Sequence, residues 1–521
     1  MRKWLPLVAV CLGSFMLLID VTIVNVALPD MALDLHTSFA SLQWVVDAYA
    51  LALAAVLLGV GALADLTGHR RTYLTGLAAF ALASVLCGAA QNTGWLITVR
   101  TVQGLGAAAM FATAFPLLNS SYHGRDRATA YGVWGAVSGA AASVGPVLGG
   151  LLTEVADWRW IFYVNVPVSV VAIALSVRVL AGERPQHERR PDYVGTALFT
   201  LAAAALVYAL IRANELGWTS GAVLGLFAVA AVALAGFLAV QARSRHAMLD
   251  LSLFRKRSFN GVMIAALLIN FAAFAMLTYA SIWLQSLLGL SPLQAGLTGL
   301  PMSLAVFASS LLVGRLLHGV RPQLLIGIGM LLVGLGSLTE SALIHAGSGW
   351  AALIPGYLVI GIGAGAMMPI LGSSATAAVG RQRAGMAAGA VNTARQLGYA
   401  VGIAVLGSVF SSQASGWLSS HAVSGAHSLA SALSSGRAAE VLATTPAAQH
   451  ADLVTALHGA SAHALQASFA VAGAAGIVAG LLALVLMRPQ RRGNEQDQAG
   501  SAARTSPQHS GTVTATSPAA R

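Results

Sequence analysis

From end to end the chain alternates between apolar stretches of about twenty residues and short polar or Gly/Pro-rich breaks. Apolar runs fall at 5–28, 44–64, 73–90, 95–118, 129–153, 161–180, 194–212, 221–241, 259–285, 295–317, 323–343, 351–371, 386–409 and 464–487. Each is close to the ~20 residues that an α-helix needs to cross a hydrocarbon layer about 30 Å thick. In such a layer every backbone N–H and C=O must be satisfied within the segment, so runs of this length take helical form. The pattern predicts an all-α integral membrane protein with fourteen transmembrane helices.

Charge tests that count independently of hydropathy. With the N-terminus inside, all but five of the 29 lysines and arginines fall in cytoplasmic segments. The exceptions are Arg159, Arg212 and Arg437 on the outer side, and Arg100 and Arg395 within spans. This is the bias of the positive-inside rule, and an even count places both termini on the cytoplasmic side of a multi-pass protein of the plasma (inner) membrane. Composition agrees: 57% of the 521 residues are hydrophobic and only 9% charged, with a mean hydropathy of +0.75. Those values exclude a water-soluble enzyme, a nucleic-acid reader and a disordered scaffold. The net charge of +11 then follows from loop sorting and needs no nucleic-acid partner.

Cys11 and Cys87 both lie in apolar runs, so neither a disulfide framework nor a Cys-x-x-Cys metal site is expected. The run after Arg2 and Lys3 reaches Leu28 without an A-x-A-like cleavage site and reads as a first span. Two segments differ in composition: the Ser/Ala/His-rich stretch 410–463 on the outer side, and the cytoplasmic tail 488–521. Neither is expected to bury a core; the first should hold at most surface helices and the tail should be disordered. His421, His427, His450, His458 and His463 form no H-x3-H or Cys/His cluster, so solvated loop histidines and no metal site are expected.

An ATP-driven pump needs a Gly-Lys pair to cradle phosphate, yet neither Lys3 nor Lys256 follows a glycine. No H-E-x-x-H occurs and no serine sits in G-x-S-x-G. The chain is therefore expected to be no enzyme and to need no cofactor; transport by it must be secondary or passive.

Ionisable residues inside spans then carry the chemistry, because a charge in hydrocarbon costs at least about 2.5–3.5 kcal/mol. Asp20, Asp47, Arg100, Glu340 and Arg395 qualify. At 1.5 Å per residue, Asp20 lies roughly 12 Å inward from Leu28, Asp47 roughly 4–5 Å from Trp44 and Arg100 roughly 7–8 Å from Trp95. A carboxylate beside a buried arginine can shed and regain a proton as its surroundings change; the alternative is a static ion pair that positions helices. Thr22 and Asn25 stand beside Asp20, where they can hydrogen-bond either of its forms. Asp47 and Glu340 lie nearer span ends, where a solvated rim position is the alternative. Arg395, about 13 Å from Met386, is placed to meet a carboxylate or an anionic substrate group.

Between the second and third runs stands GALADLTGHRR, Gly61 to Arg71, which resembles the G-x-L-a-D-r-x-G-r-r signature of the major facilitator superfamily. The resemblance implies that Gly61, Asp65, Gly68, Arg70 and Arg71 form a loop that latches two helical bundles in one access state. LITVRTVQGLGAA (Leu96 to Ala108) resembles the R-x-x-q-G-x-g-a motif of that superfamily, with Arg100 as its arginine. GVWGAVSGAAASVGPVLGG, from Gly132 to Gly150, is similar to the antiporter motif g-x8-g-x3-G-P-x2-G-G, with Ala141 in place of the second glycine. Gly145 and Pro146 would bend the helix there, and Gly149 and Gly150 would admit a close neighbour.

LLIDVTIVNVALP (Leu17 to Pro29) and WRWIFYVNVP (Trp158 to Pro167) resemble motifs of the fourteen-span drug:proton antiporters. The resemblance covers about residues 5 to 410 and is densest in the first six spans. VIGIGAGA (Val359 to Ala366) faintly repeats VQGLGAAA (Val102 to Ala109). The implied architecture is two pseudo-symmetric six-helix bundles, 1–180 and 255–487, joined by a segment 181–254 that holds two inserted helices.

The implied function is secondary active export of amphiphilic or aromatic drugs by proton antiport and alternating access, by a monomer whose partners are a small-molecule substrate, protons and lipid. A metabolite importer or facilitator is the alternative within this class, against which the span-five motif and the span count stand. A channel or membrane sensor is the alternative outside it, and no filter repeat or signalling domain supports it. Polyspecific sites pair aromatic and methionine surfaces with a few polar groups. The candidate lining residues are accordingly Asn25, Tyr131, Trp134, Asn270, Phe274, Trp283, Met367, Met368, Asn392, Arg395 and Gln396.

Overall fold

The computed structural model describes residues 2–37, 39–182, 192–244, 247–316, 320–377, 379, 384–434 and 436–487. The tail expected to be disordered, 488–521, lies outside them. No strand occurs among the described residues. Each predicted run falls mainly on one long helix, with 161–180 and 295–317 also taking in the short helices Trp160–Tyr163 and Pro292–Thr298: α1 (Leu5–Asp34), α2 (Phe39–Thr67), α3 (His69–Gly88), α4 (Thr93–Ser121), α5 (Gly124–Val155), α6 (Asn165–Val179), α7 (Tyr193–Leu216) and α8 (Gly221–Arg243). After these come α9 (Arg257–Leu287), α10 (Leu300–Leu316), α11 (Pro322–Leu343), α12 (Ile354–Ala377), α13 (Ala384–Ser420) and α14 (Ala447–Leu486). Among the described residues 13 helices are long and apolar enough to cross a membrane. The helix α5 is not one of them, although its 32 residues exceed the length a crossing needs.

Local chemistry sets the helix ends. Only Gly68, with φ 96°, separates α2 from α3, a left-handed turn that a side chain would strain. Asn92 caps α4 by accepting from the Trp95 N–H at 2.8 Å. Asp192 caps α7 through the Gly195 N–H at 2.7 Å and also accepts from Gln241 of α8 at 2.6 Å, which ties the inserted pair together. Opposite the Gly68 turn, Asp34 beyond the first span accepts from the Trp158 indole, and Arg159 pairs with it at 2.8 Å. Those donors hold its carboxyl below the usual carboxylate range.

The packing repeats. In the first half α2 and α3 pack on α4, α1 on α5 and α3 on α6; eight helices later α10 and α11 pack on α12, α9 on α13 and α11 on α14. Buried side chains gather accordingly into cores running from Leu7 to Leu180 and from Val262 to Met487. Two seams join the halves, α2 against α13 and α5 against α10. The inserted helices pack on each other, and α7 also lies against α2 and α13, on the flank of that seam.

The glycines of the span-five motif serve these contacts unequally. A Cβ at Gly132 would come within 2.9 Å of the Gly314 Cα on α10, and one at Gly145 would run into the Thr22 hydroxyl on α1. At Gly150 a Cβ would make only an ordinary 3.5 Å contact with Leu293, and Gly149 is buried. The Pro146 side chain lies outside the described residues.

The expectation that 410–463 buries no core is overturned. The helix α13 runs on to Ser420 and α14 begins at Ala447, and short helices Ala426–Ser434 and Ala438–Thr444 lie between them. Ala414, Leu418, Leu433 and Leu457 join the C-terminal core. Alanine and leucine four residues apart make a helix stripe even where serine and histidine dominate the composition.

Packing at Gly145 should therefore be intolerant and packing at Gly150 tolerant. Gly145→Ala is expected to cost about 1–3 kcal/mol by overpacking, read as a lower thermal unfolding midpoint in detergent, whereas Gly150→Ala should leave the midpoint near wild type. Equal losses would refute a tight α1–α5 contact at Gly145.

Candidate functional site

Five helices of the N-terminal half converge on one buried ion pair. Asp20 of α1 and Arg100 of α4 have no exposed surface. The Arg100 Nη1 donates to Asp20 Oδ2 at 2.5 Å. The other oxygen, Oδ1, accepts from Gln103 Nε2 and from Asn165 Nδ2 of α6, each at 3.0 Å. Gln103 also accepts from Arg100 at 2.7 Å and donates to Ser84 of α3 at 2.9 Å. From α2, the Val45 carbonyl accepts from Arg100 Nε at 3.0 Å, and the Tyr49 ring centroid lies 4.3 Å from the guanidinium carbon. Arg100 and Gln103 share a helix face because they are three residues apart.

Both carboxylate oxygens of Asp20 thus have donors, and the guanidinium has an anion, an amide, a carbonyl and an aromatic face. A network this complete tolerates burial, while removal of one member leaves an uncompensated polar group. Thr22, expected to serve Asp20, instead donates to Leu18 and Ile19 of its own helix, and the Asn25 side chain lies outside the described residues. The amides that do serve it, Gln103 and Asn165, were each legible as a lone amide in an apolar run, although nothing local names their acceptor.

Asp47, half-buried on α2, lies within electrostatic reach of Tyr399 on α13. Glu340 belongs to the other half. It is wholly buried rather than at a solvated rim, and neither carboxylate oxygen has a hydrogen-bond partner among the described residues. Its Cγ presses on Gly356 of α12, where a Cβ could not fit, and Tyr357 lies within reach of its field. Asp20 and Arg100 are therefore brought together, and Glu340 stands apart from them.

At the end of the molecule that carries the Gly68 turn, Asp65 reaches across the seam. Its Oδ2 accepts the Met386 N–H at 2.9 Å, in the first turn of α13, where helix N–H groups have no partner of their own. Its Oδ1 lies 3.1 Å from His69 Nε2. Arg70 does not cross: its Nη2 donates to the Val177 carbonyl at 2.7 Å, within the same half. Arg71 is exposed, and Gly61 lies beside the place where α13 passes at Gly389. Among the described residues, the carboxylate is the one charge of the loop seen to bridge the halves.

The lining candidates divide. Tyr131 and Trp134 of α5 pack on Phe115 of α4, with ring centroids 5.5 and 4.6 Å from it, and the Trp134 indole donates to Ser14 at 2.8 Å. One turn along α4, the Phe111 carbonyl accepts from Asn392 of α13 at 3.3 Å, so these residues meet where the halves join. Asn270 and Phe274 fall in one π-helical turn of α9 and Trp283 in another, Asn270–Phe274 and Trp283–Leu287. Such turns interrupt the regular ladder and are frequent at functional sites. Met367 is fully buried against Gly329 of α11, which makes it helix packing, and Met368 is buried too. Gln396 and Arg395 are half-buried on α13.

The sequence profile of the Major Facilitator Superfamily matches residues 10–403. The chain is 38% identical over 420 residues to the multidrug resistance protein Stp of Mycobacterium tuberculosis, covering 80% of this chain and 78% of that protein. It is 31% identical over 512 residues to the tetracenomycin C resistance and export protein of Streptomyces glaucescens, covering 95% and 94%. In fold it is similar to the proton:xylose symporter XylE, with a TM-score of 0.62 at 12% identity, covering 93% of this chain and 96% of that one.

If the two amides hold Asp20 as the distances say, each should be needed. Gln103→Leu and Asn165→Leu are each expected to lower the thermal midpoint of the purified protein, with losses of about 1–3 kcal/mol from an unpaired buried acceptor. Wild-type midpoints in both would mean that the carboxylate is not held by them.

Proposed function

The chain belongs to the Major Facilitator Superfamily, and on that footing we propose that it is an exporter of amphiphilic or aromatic small molecules driven by proton antiport. It is a multi-pass cell-membrane protein of a family of transporters. The relatives' names, resistance to drugs and export of an antibiotic, support the substrate class. The observation that carries the coupling is the sealed contact of Asp20 with Arg100, an acid and a cation buried at the junction of five helices.

In this reading both termini are cytoplasmic, the protein works as a monomer without a cofactor, and the proton gradient supplies the energy. The end with Asp65 and Met386 in contact is the cytoplasmic end, closed in this conformation. Rocking of the halves separates Asp65 from α13 and opens the seam where Tyr131, Trp134 and Asn392 meet. Substrate in that seam and movement of α1 against α4 loosen Arg100 from Asp20. The freed carboxylate takes a proton from one side and gives it up on the other when Arg100 returns, so substrate and proton move in opposite directions. Asp47 is a secondary acid on this path, Glu340 a separate candidate acid in the other half, and Gln396, Asn270, Phe274 and Trp283 complete the lining.

Asp20→Asn mimics the protonated acid. It is expected to abolish pH-gradient-driven efflux in vesicles while substrate binding persists; full proton-coupled efflux, followed with a pH-sensitive dye, would move the role to Asp47 or Glu340. Asp65→Asn removes a charge from a helix N-terminus, an interaction of about 1 kcal/mol, or roughly a fivefold shift in the balance of conformations. Efflux should weaken at normal membrane abundance, and unchanged efflux would remove the latch.

A further inference from the structure

The two arginines inside the spans are treated in opposite ways. Arg100 has an anion, an amide oxygen, a carbonyl and a ring. Arg395 has neither a hydrogen bond nor an ion pair among the described residues, and its Nε is buried without an acceptor. It stands eleven residues into α13, about 16 Å along the axis and so far from either helix end. The helix α13 is enclosed by α2, α4, α7, α9, α12 and α14. An arginine that positioned these helices would be held by acceptors on them, as Arg70 is held by Val177.

Its neighbours along α13 fix the direction of this face. Asn392, one turn earlier, donates to Phe111 of α4, and Tyr399, one turn later, lies 3.5 Å from the Thr278 hydroxyl of α9 and within reach of Asp47 on α2. The face that carries Arg395 is thus turned to the junction of the halves, toward α4, where Phe115, one turn from Phe111, packs on Tyr131 and Trp134. An unpaired cation at this depth costs at least about 2.5–3.5 kcal/mol, which an arriving anion offsets. A guanidinium with Nε and a neighbouring Nη free presents two parallel donors, the pattern that matches the two oxygens of a carboxylate.

Resting on the exporter reading, we propose that Arg395 is the anion-binding group of the transport site and that the substrates carry an acidic group, a carboxylate or an equivalent oxyanion, on an aromatic skeleton. The aromatic cluster takes the rings and Arg395 takes the acid. Compounds of the same shape without the negative charge lack a partner for the cation and bind less well.

Fluorescein and rhodamine 123 test this, since they share a xanthene skeleton while fluorescein is anionic at neutral pH and rhodamine 123 is a cationic ester. Both are titrated by fluorescence anisotropy onto the purified full-length protein in phosphatidylcholine nanodiscs, which contain no anionic lipid. Wild type should bind fluorescein more tightly than rhodamine 123. Arg395→Gln should weaken fluorescein about 10- to 100-fold and leave rhodamine 123 unchanged or tighter, and Arg395→Lys, with the charge but not the fork, should fall between.

Wild-type protein that binds fluorescein no more tightly than rhodamine 123, or binds neither, overturns the proposal. So does Arg395→Gln that loses both dyes alike or neither. Should that variant not assemble, Arg395→Lys decides: a loss confined to fluorescein supports the site and an equal loss of both dyes overturns it. Binding is read without a gradient, so fluorescein bound through Arg395 but never moved by a pH gradient would refute the exporter and leave the anion site standing. Gradient-driven export of rhodamine 123 alone would do the reverse.

Discussion

A charge inside hydrocarbon must find a partner or a purpose, and the arrangement of this molecule follows from how it meets that demand. In the N-terminal half five helices converge on the Asp20–Arg100 pair: Arg100 meets the carboxylate, the Gln103 amide, the Val45 carbonyl and the Tyr49 ring, while Gln103 and Asn165 donate to the other oxygen of Asp20 and Gln103 also to Ser84. The ion pair is at once a clasp for the bundle and its one saturated acid-base couple. A movement of α1 against α4 cannot occur without disturbing it, which is why a proposed proton step belongs there.

The C-terminal half repeats the helix packing but not the chemistry. Its cation, Arg395, and its acid, Glu340, lie on different helices with no partner for either among the described residues. Pseudo-symmetry therefore duplicates the scaffold and leaves the polar contents free to differ. One half holds a closed network, and the other presents an open cation to the junction. The π-helical turns of α9 also have no counterpart among the first-half helices, so the irregular backbone lies on the same side as the unpaired charge.

Between the halves the contacts are few in kind. Close backbone approach at Gly132, a carbonyl–amide bond from Asn392 to Phe111, and the Asp65 carboxylate at the first turn of α13 bind the seams. An apolar cluster of Leu58 on α2, Phe259 on α9 and Met386 and Ala390 on α13 also crosses the first seam. The polar contacts, each of about 1 kcal/mol, suit two rigid bundles that must separate at one end and then the other.

Much of this was legible in the residues alone, because hydrocarbon imposes rules that act locally. Apolar runs of fixed length, the bias of arginine toward one side, the single-glycine turn at Gly68 and the rarity of Asp20, Arg100 and Arg395 inside spans all follow from solvation of one segment at a time. What the segments do to each other was not. Asp20 draws amides from positions 83 and 145 residues away, Thr22 turns to its own helix instead, and Arg70 stays within its half while Asp65 crosses. Glu340 is buried although its place near a helix end suggested a wet rim, and the stretch 410–463 joins a core its composition seemed to exclude. These outcomes depend on the rotation and crossing of each helix relative to its neighbours. A periodic pattern fixes which face of a helix is apolar, but only packing decides which neighbour that face meets and which polar group it finds there.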